Sequence, residues 1–355
     1  MPNYYDGTKL LSLKDINGNT PEIYICTTNR TGGKTTFFNR FVVKKFLDGK
    51  GKFALLYRFA KELKGCDEKF FKDIGELFFP DYLMRSESRG DGDYYELFLY
   101  KKNEIDCKRP GKSCGYALAL NSADQIKKQS HQLNDIERMI FDEFQSETNH
   151  YCTDEISKFI SVHVSIARGH GLQSRYVPVY MISNHITLLN PYYTEFDIAT
   201  RLQAGTKFLR GDGFVLEHGF VESAAEAMKQ SSFNRAFKRN KQISYLQKER
   251  VYLNDNAAFI EKMSGVSRYI ATMKYKGVQY GVRAFDEQGI IYCDNRPDLT
   301  YPMKLSITTD DHNINYVMLR ANADFLARLR YYFDNGCFRF RDLKCKEAIL
   351  KALSY

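Results

Sequence analysis

The chain has 355 residues, a formal net charge of +9, 25 Tyr, 26 Phe and no Trp, which is length enough for one large domain and a smaller one. Its eight cysteines show no C-x-x-C spacing, which argues against a disulfide framework or a zinc site and predicts a reduced, cytoplasmic setting. No apolar stretch reaches 18 residues, and the polar start MPNYYDGTKLLSLKD has no leader pattern, so a membrane span is excluded and a soluble chain is expected.

Residues Glu22 to Cys26 (EIYIC) read as a short strand. The loop TTNRTGGKTT follows from Thr27 to Thr36, and then a helix with Phe37, Phe38, Phe41, Val42 and Leu47 spaced by three and four, ending at Gly49. Strand, glycine loop and helix come in the order that a phosphate-binding loop requires. Its amides cradle the β- and γ-phosphates, a lysine reaches the same oxygens, and a hydroxyl meets Mg²⁺. Against G-x-x-x-x-G-K-[ST], Gly33, Lys34 and Thr35 match, while Thr28 replaces the first glycine. Gly32 and Gly33 still supply backbone freedom beside the phosphates. The bland alternative is a strand-to-helix turn that happens to contain a lysine.

Farther along, Lys52 to Arg58, Gly115 to Leu120, Met139 to Asp142 and Val177 to Ile182 read as strands, with helices at Asp67 to Leu77 and Thr153 to Ala167. An inserted hairpin is expected over Tyr94 to Ile105. The alternation predicts an α/β layout with a mostly parallel sheet. In ERMIFDEF an apolar strand runs into two acids. Asp142 suits a Mg²⁺ ligand and Glu143 suits the group that polarises an attacking water. A strand ending in two acids is weak evidence alone; in order behind the glycine loop it becomes strong.

From Lys229 to Arg250 the chain carries seven cations, Lys229, Arg235, Lys238, Arg239, Lys241, Lys248 and Arg250, against the single acid Glu249. Such a run is either a solvated helix face or a track for a nucleic-acid backbone, where each cation releases counterions. Three strands then follow over Arg268 to Asp294, broken at Lys276-Gly277 and Gln288-Gly289. A helix in NADFLARLRYYFDNG and another at the C-terminus complete an α+β pattern. The expected division is 1–220, a basic linker 221–255, and 256–355.

The glycine loop, MIFDEF, SNHITLLNPYY (Ser183 to Tyr193), QGIIYCDN and LSITTDD (Leu305 to Asp311) occur in order over most of the chain. Together they resemble the DNA-packaging ATPases of phi29-like phages. The resemblance implies a P-loop ATPase of the additional-strand, catalytic-glutamate (ASCE) class, a linker, and a C-terminal RNase H-like domain with a vestigial nuclease site. It implies a pentameric ring that uses ATP and Mg²⁺ to drive double-stranded DNA into a procapsid. Its partners would be the portal, or connector, and a packaging RNA, in the cytoplasm of the infected host, with transient attachment to the procapsid.

Carried over residue by residue, Thr28, Asn29, Arg30, Thr31, Gly32, Gly33, Lys34 and Thr35 fall on the nucleotide loop, with Arg30 as its loop arginine. Thr35 and Asp142 fall on the metal positions and Glu143 on the catalytic acid. Arg168 falls where a neighbour-completing arginine is expected, with Arg175 as rival. Asn184 falls on a γ-phosphate sensor, although SN sequences also cap helices. Arg58 and Lys61 lie near the family's trans-acting lysine, out of register by one. Lys229, Arg235, Lys238, Arg239 and Lys241 are the nucleic-acid candidates. Two other classes compete: a metal-dependent nuclease drawing on Asp286, Glu287, Asp294, Asp310 and Asp311, with the ATPase regulatory, and a non-enzymatic nucleic-acid-binding scaffold.

Overall fold

A computed structural model describes the chain except residues 1–3, 104–110, 149, 170, 189, 203–205, 238–258 and 354–355. The chain divides into two compact units, Met1–Asp255 and Asn256–Tyr355.

In the first unit the strands are β1 (Ile23–Thr28), β2 (Lys52–Tyr57), β3 (Tyr82–Arg89), β4 (Tyr94–Lys101), β5 (Lys112–Ala119), β6 (Ile136–Asp142), β7 (Val179–Asn184), β8 (Phe208–Arg210) and β9 (Phe214–His218). They form one sheet in the order β3-β4-β5-β2-β6-β7-β1-β9-β8. The run from β5 to β9 is parallel, and β3, β4 and β8 are antiparallel additions at the edges. Central parallel strands are buried on both faces, so their sequences are nearly continuous apolar runs.

Helices α1 (Thr8–Ser12), α2 (Lys34–Leu47) and α3 (Cys66–Phe78) cover one face, where Phe38, Val42, Phe46, Phe71 and Ile74 enter the core. Helices α4 (Ala123–Lys128) and α5 (Glu155–Ile166) cover the other with Ile126, Phe159, Val162 and Ile166. The parallel architecture expected from the alternating pattern is therefore present. Two local expectations need correction. Tyr94–Lys101 is a middle strand whose hairpin partner precedes it as β3; positions 104 and 105 of the expected turn lie outside the described residues. β3 escapes a pattern reading because its sequence, YLMRSESR, is mostly polar and half exposed at the sheet edge. β9 and β8 were also not anticipated, and β9 extends the parallel sheet beside β1.

The second unit contains β10 (Arg268–Tyr275), β11 (Val278–Phe285), β12 (Ile290–Asp294), β13 (Lys304–Ser306), β14 (Val317–Met318) and β15 (Phe338–Phe340). Their order is β14-β13-β10-β11-β12-β15. The first three are the predicted meander. Its turns fall at Lys276-Gly277, both left-handed, and at Gly289 with φ 62°. Helices Ala323–Asp334 and Leu343–Leu353 contribute Leu326, Leu329, Ala348 and Ile349 to this unit's core.

Candidate functional site

The parallel strands β1, β6 and β7 end side by side, which is where ligands bind in open α/β sheets. Thr28 is the last residue of β1 and pairs in register with Asn184 of β7. Because that position is extended, the first glycine of the usual loop is not required there. The left-handed positions come later, at Thr31 (φ 60°) and at Gly33 (φ 89°), the residue that caps α2. A side chain at Gly33 would be strained by its backbone alone.

The loop delivers Lys34 and Thr35 onto the two neighbouring strands. Lys34 is 7% exposed, and its ammonium donates to Asn184 Oδ1 at 2.6 Å. Thr35 Oγ1 donates to Asp142 Oδ2 at 2.9 Å, and the Glu143 amide donates to Asp142 Oδ1 at 2.9 Å. Although Asp142 as a residue is partly exposed, its carboxylate is enclosed. Burial pushes that carboxyl above its usual range, with Lys34 and Thr35 opposing the shift. Burial likewise pushes Lys34 below the usual lysine range, with Asp142 opposing. A hydroxyl and a carboxylate oxygen within hydrogen-bond distance are a donor set that fits Mg²⁺ beside a phosphate.

Glu143 follows directly after β6 in a left-handed conformation, φ 54°. This is a costly backbone state for a residue with a side chain, held by its surroundings. It lines a cavity of about 320 Å³ together with Arg30, Lys61, Glu147 and Asn184. Arg30 pairs with Glu147 across that cavity. Predicted loop, acids and sensor position are thus brought together by folding.

Asn29 needs a correction. Its buried amide donates to the Val221 carbonyl at 3.0 Å and accepts from the Val221 amide at 2.8 Å. That side chain fastens the loop to the start of helix Glu222–Gln230 rather than facing the phosphate position. Gly32 packs against the same residue, since a β-carbon there would stand 2.8 Å from Val221 Cγ2.

Arg58 also differs from expectation. It is 8% exposed and bonded within its own chain, so it is not a surface group reaching a neighbour. Its Nε donates to both oxygens of Glu155, at 2.8 and 3.1 Å, and Nη2 donates to the Phe144 carbonyl at 2.8 Å. Glu155 also accepts from the Cys152 amide and from the Tyr192 hydroxyl. This buried network braces the turn that holds Glu143. Gln145 adds a second brace, accepting from the amides of Ile186 and Thr187 beyond Asn184. The reading from sequence missed Glu155 and Gln145, although it had named two members of this cluster, Arg58 and the Tyr192 of NPYY.

Arg168 is exposed, its Nε donating to the Val164 carbonyl. Arg175 is buried, bonded to Glu137 and to the carbonyls of Ile136 and Ile166. Both lie where the chain leaves α5 to begin β7, the sheet edge opposite the ends that carry Lys34 and Asp142.

Lys229 and Arg235 sit on helices Glu222–Gln230 and Ser232–Ala236. Lys238, Arg239 and Lys241 lie outside the described residues. In the second unit Asp294 pairs with Arg283, Asp286 pairs with Arg268, and Asp311 accepts from the Gly277 amide and the Thr308 hydroxyl. No metal-holding group of acids, histidines or cysteines occurs among the described residues.

A family model described as podovirus DNA encapsidation protein (Gp16) matches residues 2–353. The chain belongs to that family. The DNA packaging protein of Bacillus phage phi29 is 23% identical over 312 residues, covering 87% of this chain and 86% of the relative. Its counterpart in Bacillus phage B103 is 22% identical, covering 87% and 89%. Among solved structures, the bacteriophage Phi-29 viral genome packaging motor assembly matches with a TM-score of 0.68, 22% identity and 99% coverage of both chains. The Phi-28 gp11 DNA packaging motor matches with a TM-score of 0.60 at 14% identity, covering 100% and 99%. At these identities the structural likeness establishes a shared fold. No helix among the described residues is long and apolar enough to cross a membrane.

Proposed function

We propose that this family member is an ATP-hydrolysing motor that moves double-stranded DNA into a procapsid. The observation that carries the reading is the convergence of Lys34, Thr35, Asp142, Glu143 and Asn184 on one strand edge. The loop amides and Lys34 bind the triphosphate, Thr35 and Asp142 hold Mg²⁺, and Asn184 senses the terminal phosphate through Lys34. Mg²⁺, when bound, neutralises charge on the phosphate oxygens. Glu143 orients and polarises the attacking water. Its strained turn is braced by the Arg58–Glu155 network, which keeps the carboxylate in place without adding a charge to the reacting atoms.

Arg168 acts on a neighbouring subunit. Its place at the far sheet edge keeps it from its own Lys34, and a ring brings one subunit's far edge to the next subunit's site. A transferred guanidinium neutralises charge developing on the γ-phosphoryl group, which is worth on the order of 10³-fold or more in comparable systems. The ring is pentameric, docks on the portal with a packaging RNA, and works in the host cytoplasm. The segment 221–255 is a basic linker whose cations, Lys229 and Arg235 among them, meet DNA phosphates. The second unit is a nuclease-like fold that grips or docks; of its acids, Asp286 and Asp294 pair with arginines and Asp311 accepts from a backbone amide.

The test is Glu143→Gln in the full chain. DNA-stimulated ATP turnover should fall by at least 10²-fold while nucleotide binding persists; turnover within a few-fold of the unmodified chain would reject the assignment. Nicking of plasmid DNA with Mn²⁺ and no nucleotide would favour the nuclease reading instead.

A further inference from the structure

The turn after β6 carries a polar side chain that the fold uses only by half. Gln145, two residues beyond Glu143, is 2% exposed. Its Oε1 accepts from the amides of Ile186 at 3.1 Å and Thr187 at 3.0 Å, in the chain that follows Asn184. Two N–H donors on one atom settle which end of the carboxamide is oxygen, so the NH2 group faces away from them. That nitrogen is buried, and among the described residues it has no hydrogen-bond partner. Gln145 lines the cavity shared by Glu143, Arg30, Ser183 and Asn184.

The backbone beside Gln145 is fixed as well. The Phe144 amide donates to the Ile182 carbonyl at 3.3 Å, and the Phe144 carbonyl accepts from Arg58 at 2.8 Å. The carboxamide cannot turn without giving up both of its amide bonds. A buried donor left unpaired is costly, and such a group in a cavity wall is completed by whatever acceptor enters.

We propose that the Gln145 NH2 group donates to the terminal phosphate of the bound nucleotide, so that Gln145 helps this site tell a triphosphate from a diphosphate; the proposal rests on the nucleotide reading given above. In that reading the loop amides take the inner phosphates, and the terminal one meets the cavity that Glu143 lines. The chemistry selects the partner. An NH2 group only donates, while the oxygens of a terminal phosphate accept and carry charge, which makes the bond charge-assisted. The attacking water is a poorer partner, because a donor on its oxygen would engage the lone pair that must reach phosphorus. Gln145 thereby ties the phosphate, through Oε1, to the segment beyond Asn184.

Calorimetric titration of the full chain in Mg²⁺ tests this with two probes, a non-hydrolysable ATP analogue and ADP. Gln145→Glu keeps an oxygen for the two amides and exchanges the donor for a carboxylate; it is measured at about pH 9 so that this group is ionised. Gln145→Met removes donor and acceptor alike at similar length. ADP binding reports that the site of each variant is folded. In both variants the ATP analogue should weaken at least about ten-fold more than ADP, the loss expected for one hydrogen bond to a charged group. A smaller difference in either variant that still binds ADP, including equal weakening of the two probes, would overturn the contact and leave Gln145 as a brace. Failure of the unmodified chain to bind either probe would instead overturn the nucleotide reading itself.

Discussion

Replacing Arg58 by Met removes one partner of a buried ion pair and leaves the other. Arg58 is 8% and Glu155 3% exposed, so neither charge can be rehydrated without opening the structure. Breaking such a pair from one side costs about 3–5 kcal/mol. In a unit of this size each 1 kcal/mol moves Tm by roughly 2–4 °C, so a fall of about 6–20 °C is expected. The loss also frees the Phe144 carbonyl, which Arg58 holds at 2.8 Å, one residue from Glu143. ATP turnover should then fall further than nucleotide affinity, because the loop of Lys34 is untouched. Scanning calorimetry and steady-state ATPase assays on Arg58→Met, Glu155→Gln and the double variant read both effects. With both charges gone, the double variant should recover at least half of the lost Tm, since the Cys152 amide and the Tyr192 hydroxyl sit on different oxygens of Glu155, and the Gln oxygen can accept from the Cys152 amide while its NH2 donates to the Tyr192 hydroxyl. A double variant as unstable as Arg58→Met alone would refute the ion-pair argument. Equal losses in turnover and affinity would refute the bracing role.

Two other outcomes follow from the site's electrostatics and from its place in the sheet. Burial raises the Asp142 carboxyl above its unfolded value. That group therefore favours the folded state at acid pH and loses its contribution as pH rises through the folded value. Asp142→Asn should raise the Tm of the nucleotide-free protein at neutral pH, lose that advantage below about pH 3, and abolish stabilisation by nucleotide with Mg²⁺; a lower Tm at neutral pH would count against it. Mixing Arg168→Ala chains with Glu143→Gln chains should restore part of the turnover that each lacks, because a mixed ring pairs an intact acid with an intact arginine. No recovery in rings of normal size would dismiss Arg168.

What could be read from the sequence is what is encoded locally. EIYIC, the glycine loop and the spacing of Phe38 and Val42 lie within a few residues of one another, and α2 runs from Lys34 to Leu47 as its pattern implies. Asp142, Glu143 and Asn184 were visible because each closes or follows an apolar strand. The supports were not visible, since they join distant parts of the chain. Asn29 meets Val221 across 192 positions and Arg58 meets Glu155 across 97. Nothing in YRF or in TDEI indicates that their charges neutralise each other in a core. Asn29 looked like a phosphate ligand because loop position was the only information at hand. β3 was hidden for another reason: an edge strand buries little, so its sequence carries little alternation.

A structure of the full chain with Mg²⁺ and a non-hydrolysable ATP analogue bears most directly on the account. The ion should lie between Thr35 Oγ1 and Asp142, with the terminal phosphate against Lys34 and within a water's reach of Glu143. A nucleotide bound away from Lys34, or an ion held by other carboxylates, would contradict it.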